Sequence, residues 1–305
     1  MCGRCGGAWP IRRRARRACG HRPPAPGASF LSPEGCCRQR GRGTDLRCRH
    51  TRERRMSETI LRAAEALLAV RNGAPPIPGL GAAAPSDEAG AWAIQKEVLR
   101  RLGGTIGGYK CATPASAPPS AALLDARGIK AAPAAWPVPK GGKIGIETEI
   151  AFRLGRDLPA RGTPYTREEV TEAIAACFPA VELVVSRYAD LKAVTLNENM
   201  ADNIAHAGLI CGAEVPGWRS HDLGDLTVRQ SCGGQVQVEK RGSNPAGDPL
   251  LSLTRLANHL HAFGLHLEAG QVVTTGSWTG LLFVEGGQRV VGGFAGLGEV
   301  VVDLG

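Results

Sequence analysis

Two carboxylates stand two residues apart in Ile144-Gly145-Ile146-Glu147-Thr148-Glu149-Ile150-Ala151-Phe152-Arg153-Leu154. The stretch reads as a strand, because Ile144, Ile146, Thr148, Ile150, Phe152 and Leu154 alternate at period two. Those six side chains would face a core, and Gly145, Glu147, Glu149, Ala151 and Arg153 the other way. Like charges about 4 Å apart repel unless water screens them, they share a proton, or a cation lies between them. An ordinary solvated strand face is the plain alternative. Oxygen-only ligation suits a hard divalent cation such as Mg²⁺ or Mn²⁺, and needs a third acid. Glu182 offers one near the start of Ala180-Val181-Glu182-Leu183-Val184-Val185-Ser186-Arg187, where an unpaired acid in an apolar strand is costly.

Lys110 follows Gly107-Gly108-Tyr109 on a short apolar segment. It is either a surface lysine or a site residue whose burial would lower its pKa. Asp202 reads as a supporting or capping residue rather than a ligand. His259, His261 and His266 read as surface or packing groups, and His206 is open between packing and a role. Gly276-Ser277-Trp278-Thr279-Gly280 is not a nucleophile elbow, since Thr275 stands where that motif needs Gly. No G-x-G-x-x-G follows a strand, which argues against a dinucleotide.

The positioning elements are legible in outline. Residues 57–72 predict a helix capped by Ser57, with Ile60, Ala64, Leu67 and Leu68 on one face and Gly73 as its stop. A second helix is capped by Ser86, buries Ala91, Ile94, Val98 and Leu102, and ends at Gly103-Gly104. Ile106–Cys111 is a short strand, and 112–142 reads as a long surface loop. Thr166 and Glu169 form a capping box for a helix through Cys177 that ends at Pro179. A hairpin turns at Gly233-Gly234, and Asp248-Pro249 opens a helix to Gly264. The end is β-rich, with Leu281–Val284 turning at Gly286-Gly287 into Arg289–Val291, then Glu299–Leu304.

The 305 residues are not homogeneous. Residues 1–55 carry 15 Arg, no Lys and three acids, which leaves 22 basic and 25 acidic residues in 56–305. That segment has no hydrophobic periodicity and no apolar run of secretory type, so it is expected to be disordered. A nucleic-acid arm or a transit peptide is the functional alternative; the plainer reading is that Met56 is the natural start and 1–55 is dispensable. Residues 56–105 then form an N-terminal helical segment and 106–305 the β-rich domain that carries Lys110 and the three glutamates. Cys111, Cys177, Cys211 and Cys232 are scattered, as expected of reduced cytoplasmic thiols. No apolar run approaches a membrane span. Neither a nucleic acid nor a membrane is an expected partner.

From residue 56 onward the chain resembles the 2-keto-4-pentenoate hydratase and 2-oxo-dioate decarboxylase branch of the fumarylacetoacetate hydrolase superfamily. The marks are Ala91-Trp92-Ala93-Ile94-Gln95, Gly108-Tyr109-Lys110, Glu147-x-Glu149-Ile150-Ala151-Phe152, Glu182-Leu183 and Ser186-Arg187. Ala201-Asp202-Asn203, Asp248-Pro249-Leu250, Gly276-Ser277-x-Thr279-Gly280 and Gly296-Leu297-Gly298 follow in order. The resemblance implies an α+β fold, a mixed β-sandwich or roll with N-terminal and peripheral helices. It also implies a homo-oligomer acting on a small 2-oxo acid. Glu147, Glu149 and Glu182 would be the metal ligands for Mg²⁺ or Mn²⁺, Lys110 the catalytic lysine, and Ser277 and Thr279 a substrate-binding loop.

Two departures stand out. Cys111-Ala112-Thr113 replaces the usual Gly-Leu-Thr, and Pro119-Ser120-Ala121-Ala122-Leu123-Leu124 lacks the acid usual there. Related hydrolases draw on a histidine and a glutamate before the metal strand, whereas 106–146 contain neither, and Asp125 is their only acid. The expected activity is therefore hydration of a 2-hydroxy-2,4-dienoate to a 4-hydroxy-2-oxo acid, as in aromatic catabolism. Decarboxylation of a 4-oxalocrotonate-type dioate comes second and acylpyruvate hydrolysis third. The reading from another class is a degenerate member that binds metal and ligand without turnover.

Overall fold

The computed structural model describes residues 43–112 and 119–305. Thr51–Gly305 form one compact unit. Helix α1 (Gly43–Arg71) ends where Gly73 turns at φ +99°. It runs back past Met56 and Ser57, so Ser57 is not its cap. Residues 43–55 are helical; 1–42 lie outside the described residues. Helix α2 (Glu88–Arg101) is capped by Asp87, one residue after the expected Ser86, because the Asp87 carboxylate accepts from Gly90 N–H.

Strand β1 (Ile106–Ala112) is followed by β2 (Ser120–Asp125), β3 (Ile129–Ala131) and β4 (Ala134–Trp136). The expected loop over 112–142 thus holds three short strands. Ala121, Ala122, Leu123 and Leu124 are all buried, so β2 lacks the alternation that marks a one-faced strand. Strand β5 (Lys143–Leu154) leads to α3 (Arg167–Ala173), opened by the capping box of Thr166 and Glu169. The chain does not stay helical to Cys177. It becomes β6 (Ile174–Val184), with Pro179 inside the strand. Proline is tolerated there because the register with the next strand ends at Ala180, and the Pro179 carbonyl still accepts from Gly212 N–H at 2.8 Å.

Helix α4 (Leu196–Ala201) precedes β7 (His206–Cys211), and the hairpin of β8 (Thr227–Cys232) and β9 (Gln235–Arg241) turns at Gly233-Gly234 as expected. Helix α5 (Pro249–His259) is capped by Asp248 with proline in its first turn. Strands β10 (Val272–Thr274), β11 (Leu282–Glu285), β12 (Arg289–Phe294) and β13 (Gly298–Leu304) complete the chain. The turn at Gly286-Gly287 does not make a hairpin. β11 pairs with β5, whereas β12 pairs with β8 and β13 in the other sheet.

The larger sheet has eight strands in the order β2-β1-β10-β5-β6-β7-β3, with β11 also on β5; the smaller runs β4-β13-β12-β8-β9. Ile146, Val181, Leu183 and Ile210 of the first share one apolar cluster with Val290, Val300 and Val302 of the second. A separate cluster joins Ala64 and Leu67 of α1, Trp92 and Ile94 of α2, and Leu253 and Leu256 of α5 to Tyr109 and Phe152. The class is mixed α+β, as expected. Gly108 fixes the central line-up, since a Cβ there would sit 1.8 Å from the Val272 carbonyl oxygen. The bare backbone lets β1 run parallel to β10 with Lys110 opposite Thr274, which in turn lies opposite Ala151 of β5.

Candidate functional site

Register brings the acids together. β5 and β6 are antiparallel with Glu147 opposite Glu182 and Glu149 opposite Ala180, so all three glutamates leave one face of the larger sheet. One carboxylate oxygen from each lies within 4.8 Å of the others, the one such group among the described residues. This is not a solvated strand face: Glu149 is 2% exposed and Glu182 fully buried, with Glu147 half-buried.

Each anchored carboxylate is held by one oxygen. Glu182 Oε1 receives Lys110 Nζ at 2.6 Å and His206 Nδ1 at 2.9 Å, and its Oε2 is buried with no partner among the described residues. Glu149 Oε2 accepts from the Thr274 hydroxyl and from Gly276 N–H at 2.9 Å. Gly276 reaches it from φ +100°, a conformation that a side chain disfavours. Anchoring one oxygen aims the other. The orphaned Oε2 of Glu182, beside two further carboxylates, fits an oxygen-liganded divalent cation that the three acids would hold.

The electrostatics agree with that fit. Burial, then Glu182 and Glu147, push the Glu149 carboxyl well above the ordinary value. Burial and Glu182 raise Glu147 too, against Lys110 and the neighbouring Ser277 hydroxyl. Glu182 is drawn down despite its burial, because Lys110 and His206 both face it. Lys110 departs from expectation. Burial does press it down, but Glu182, Glu147 and Glu149 together hold it above the usual lysine value. At neutral pH it is an ammonium, with two of its three donors engaged by Glu182 and, at 3.2 Å, by the Ile204 carbonyl.

Ser277 and Thr279 differ. The Ser277 Oγ is buried and makes no directed hydrogen bond among the described residues. The Thr279 hydroxyl is committed: it accepts from Thr148 N–H at 3.1 Å and donates to the Gly280 carbonyl at 3.0 Å, tying its loop to β5. Asp202 is no part of the acid cluster. It is fully buried against Arg187, which bonds both its carboxylate and its carbonyl. His259 pairs with Glu88, and His261 stacks edge-on against Tyr165. His206 is the residue left undecided by sequence, and it does reach the cluster; its Nε2 is buried without a partner among the described residues. Thr274 carried no signal in the sequence, since its place depends on the pairing of β10 with β5.

Two cavities are near enough in size to compare. One of about 650 Å³ lies between Arg167, Trp218 and Asp248, and none of the cluster residues lines it. The other, about 570 Å³, is bordered by Arg71, Arg187, Asn203 and His206.

The fumarylacetoacetate (FAA) hydrolase C-terminal family matches residues 111–304. The chain belongs to this family. Relatives include the 2-hydroxyhexa-2,4-dienoate hydratase of Comamonas testosteroni, 36% identical over 146 residues, covering 47% of this chain and 53% of that protein. The 4-oxalocrotonate decarboxylase of Pseudomonas putida is 32% identical over 171 residues, 53% of this chain and 64% of that one. The match therefore spans between half and two-thirds of these relatives' lengths. The structure of 4-oxalocrotonate decarboxylase from Pseudomonas putida G7, complexed with magnesium and adipate, superposes with a TM-score of 0.72 at 26% identity. It covers 81% of this chain and 97% of that one. Lys110 lies one residue before the family match begins.

Proposed function

We propose that the chain is a divalent-cation-dependent lyase acting on small 2-oxo acids, and that its reaction is hydration of a 2-hydroxy-2,4-dienoate to a 4-hydroxy-2-oxo acid. The observation that carries this is the convergence of Glu147, Glu149 and Glu182, with the orphaned buried Oε2 of Glu182 beside a buried ammonium. The trio would hold Mg²⁺ or Mn²⁺. When bound, the cation would polarise a 2-oxo group as a Lewis acid and attract the adjoining carboxylate. A two-sheet sandwich or roll of this superfamily's type, working as a homo-oligomer in the cytoplasm, belongs to the same proposal.

The chain's own groups supply binding and proton movement. Lys110 keeps one N–H free to meet the substrate carboxylate or to give a proton to a reacting carbon. In the hydration, C5 gains a proton while the 2-hydroxyl proton leaves, giving a conjugated 2-oxo-3-enoate. Water then adds its oxygen at C4, and a proton returns to C3. Ser277, whose buried hydroxyl lies beside Glu147, is the better placed of the two loop residues to contact substrate; Thr279 sets the loop.

Decarboxylation is the second reading. It is favoured by the superposition on 4-oxalocrotonate decarboxylase, which extends over nearly all of that chain. Purified protein with and without Mg²⁺ separates the readings. Loss of 2-hydroxypenta-2,4-dienoate with formation of 4-hydroxy-2-oxopentanoate is expected, and CO₂ release from 4-oxalocrotonate would support the second reading. Cleavage of acylpyruvates without hydration would overturn both. Metal and oxo-acid binding with no turnover of any of these substrates would identify a non-catalytic member.

A further inference from the structure

Between α4 and β7 the backbone does something that L-residues resist. Asn203, Ile204 and Ala205 stand in succession at φ +54°, +50° and +58°. Asn tolerates this region, whereas a β-branched residue such as Ile204 rarely enters it. Such a turn persists only where its surroundings over-determine it.

Two arginines do so. Arg187 spans the turn from outside: it bonds the Asp202 carboxylate and carbonyl at one end and the His206 carbonyl, at 3.0 Å, at the other. Arg71, from the last turn of α1, reaches its middle. Its Nη2 donates to Asn203 Oδ1 at 3.0 Å and lies 3.5 Å from Asp202. The Asn203 amide then donates to the Leu123 carbonyl at 3.0 Å and to Gln95 Oε1 at 3.3 Å. The Asn203 side chain is therefore fixed at both ends while its backbone is left-handed.

The turn delivers two groups to the acid cluster. The Ile204 carbonyl accepts from Lys110 Nζ, and His206 places Nδ1 on Glu182. The carbonyl is a fixed second acceptor for the ammonium, beside the Glu182 carboxylate. It determines which way the remaining N–H of Lys110 points.

We propose that Arg71 is a positioning residue for Lys110, acting through Asn203 and the left-handed turn. The proposal rests on the lyase reading, in which Lys110 works on the substrate. It makes α1, which lies outside the matched family region, part of the working site.

Asn203→Gly separates positioning from mere structure. Glycine adopts φ +54° freely but loses the three side-chain bonds of Asn203, so a purely structural turn would shift Tm and keep the activity of the folded protein. Under the proposal kcat falls about ten- to a hundredfold at a temperature where the variant is fully folded, as for a small misplacement of a reacting group. KM and Mg²⁺ affinity should stay within about twofold. Arg71→Met should lose a similar factor, Arg71→Lys should recover part of it, and the Arg71→Met/Asn203→Gly double variant should be no worse than either single change. Amide exchange gives a readout that needs no turnover. Val185 N–H bonds the Ala205 carbonyl and Ala205 N–H the Asp202 carbonyl, so both should exchange faster in Arg71→Met. Unchanged exchange, or wild-type kcat in Asn203→Gly, would overturn the proposal. A wild-type protein with no lyase activity would instead defeat the functional reading, and the exchange rates would still show whether Arg71 holds the turn.

Discussion

At the scale of single residues, the site's character comes from which carboxylate oxygen is already spoken for. Lys110 and His206 share Glu182 Oε1, and Thr274 and Gly276 share Glu149 Oε2. Glu147 is anchored less, so it should be the most sensitive to loss of charge. Glu147→Gln should keep the fold, weaken Mg²⁺ or Mn²⁺ binding by about 10- to 100-fold on the scale of changes at metal sites, and abolish turnover. Calorimetry showing unchanged metal affinity would remove Glu147 from the ligand set. Lys110→Met removes a buried cation facing three acids. It should lower kcat/KM by about 10²–10⁴, the range for a positioned proton-transfer group, while Glu182 loses the partner that holds it ionised. A loss of less than about tenfold would make Lys110 a bystander. The three glutamates and Lys110 were legible because acids inside apolar strands and a lysine after glycines are odd in sequence. Thr274, the Ile204 carbonyl and the Asn203–Arg71 bond were not, because each depends on pairing or backbone conformation across long separations. The direction of the Lys110 shift is hidden for the same reason: the sequence shows its burial but not the three acids that face it.

At the scale of elements, strands with strong local signals were read well and those defined by partners were not. The period-two pattern of β5, the Thr166–Glu169 capping box and the Asp248-Pro249 start of α5 are local features, and all three stand as expected. β2, β3 and β4 are made of alanines and a few apolar residues, and they exist because β1, β7 and β13 offer them edges. The proline in β6 likewise signals a helix end until the boundary of the β6–β7 ladder is known. The tightest inter-element fit lies between β1 and β10. In Gly108→Ala the new Cβ would meet the Val272 carbonyl, so the two strands must part. Overpacking of this kind costs about 1–3 kcal/mol. Because Lys110 and Thr274 are opposite each other two residues on, the shift should also reach the acid cluster. Urea unfolding should show the stability loss, and kcat should fall by more than the unfolded fraction accounts for. A Gly108→Ala protein with wild-type midpoint and activity would show that β1 is free to move.

At the scale of the whole molecule, the larger sheet gathers three acids at one site, two of them with raised pKa values. That imposes a pH signature on global stability. Glu149 and Glu147 have folded pKa values above the ordinary 4.5, so the ion-free folded state holds protons that the unfolded chain has released. Their effect is to make the fold less stable as pH rises from about 4.5 through their raised values. Glu182 acts oppositely: its depressed pKa contributes stability present above 4.5 and lost as pH falls towards about 2. A divalent cation would cancel the first effect by taking the place of the protons, so it should bind more tightly as pH rises and release protons when it does. Above about pH 4.5 the fold's tolerance of rising pH should then depend on the cation. Scanning Tm with and without Mg²⁺ tests this directly: the stabilisation by Mg²⁺ should grow from about pH 4.5 up to where Glu147 and Glu149 are both ionised, and Glu149→Gln should flatten the ion-free curve over the same range. A Mg²⁺-induced shift in Tm that is equal at both ends of that range would mean that the cation binds without displacing protons, and hence away from Glu147 and Glu149.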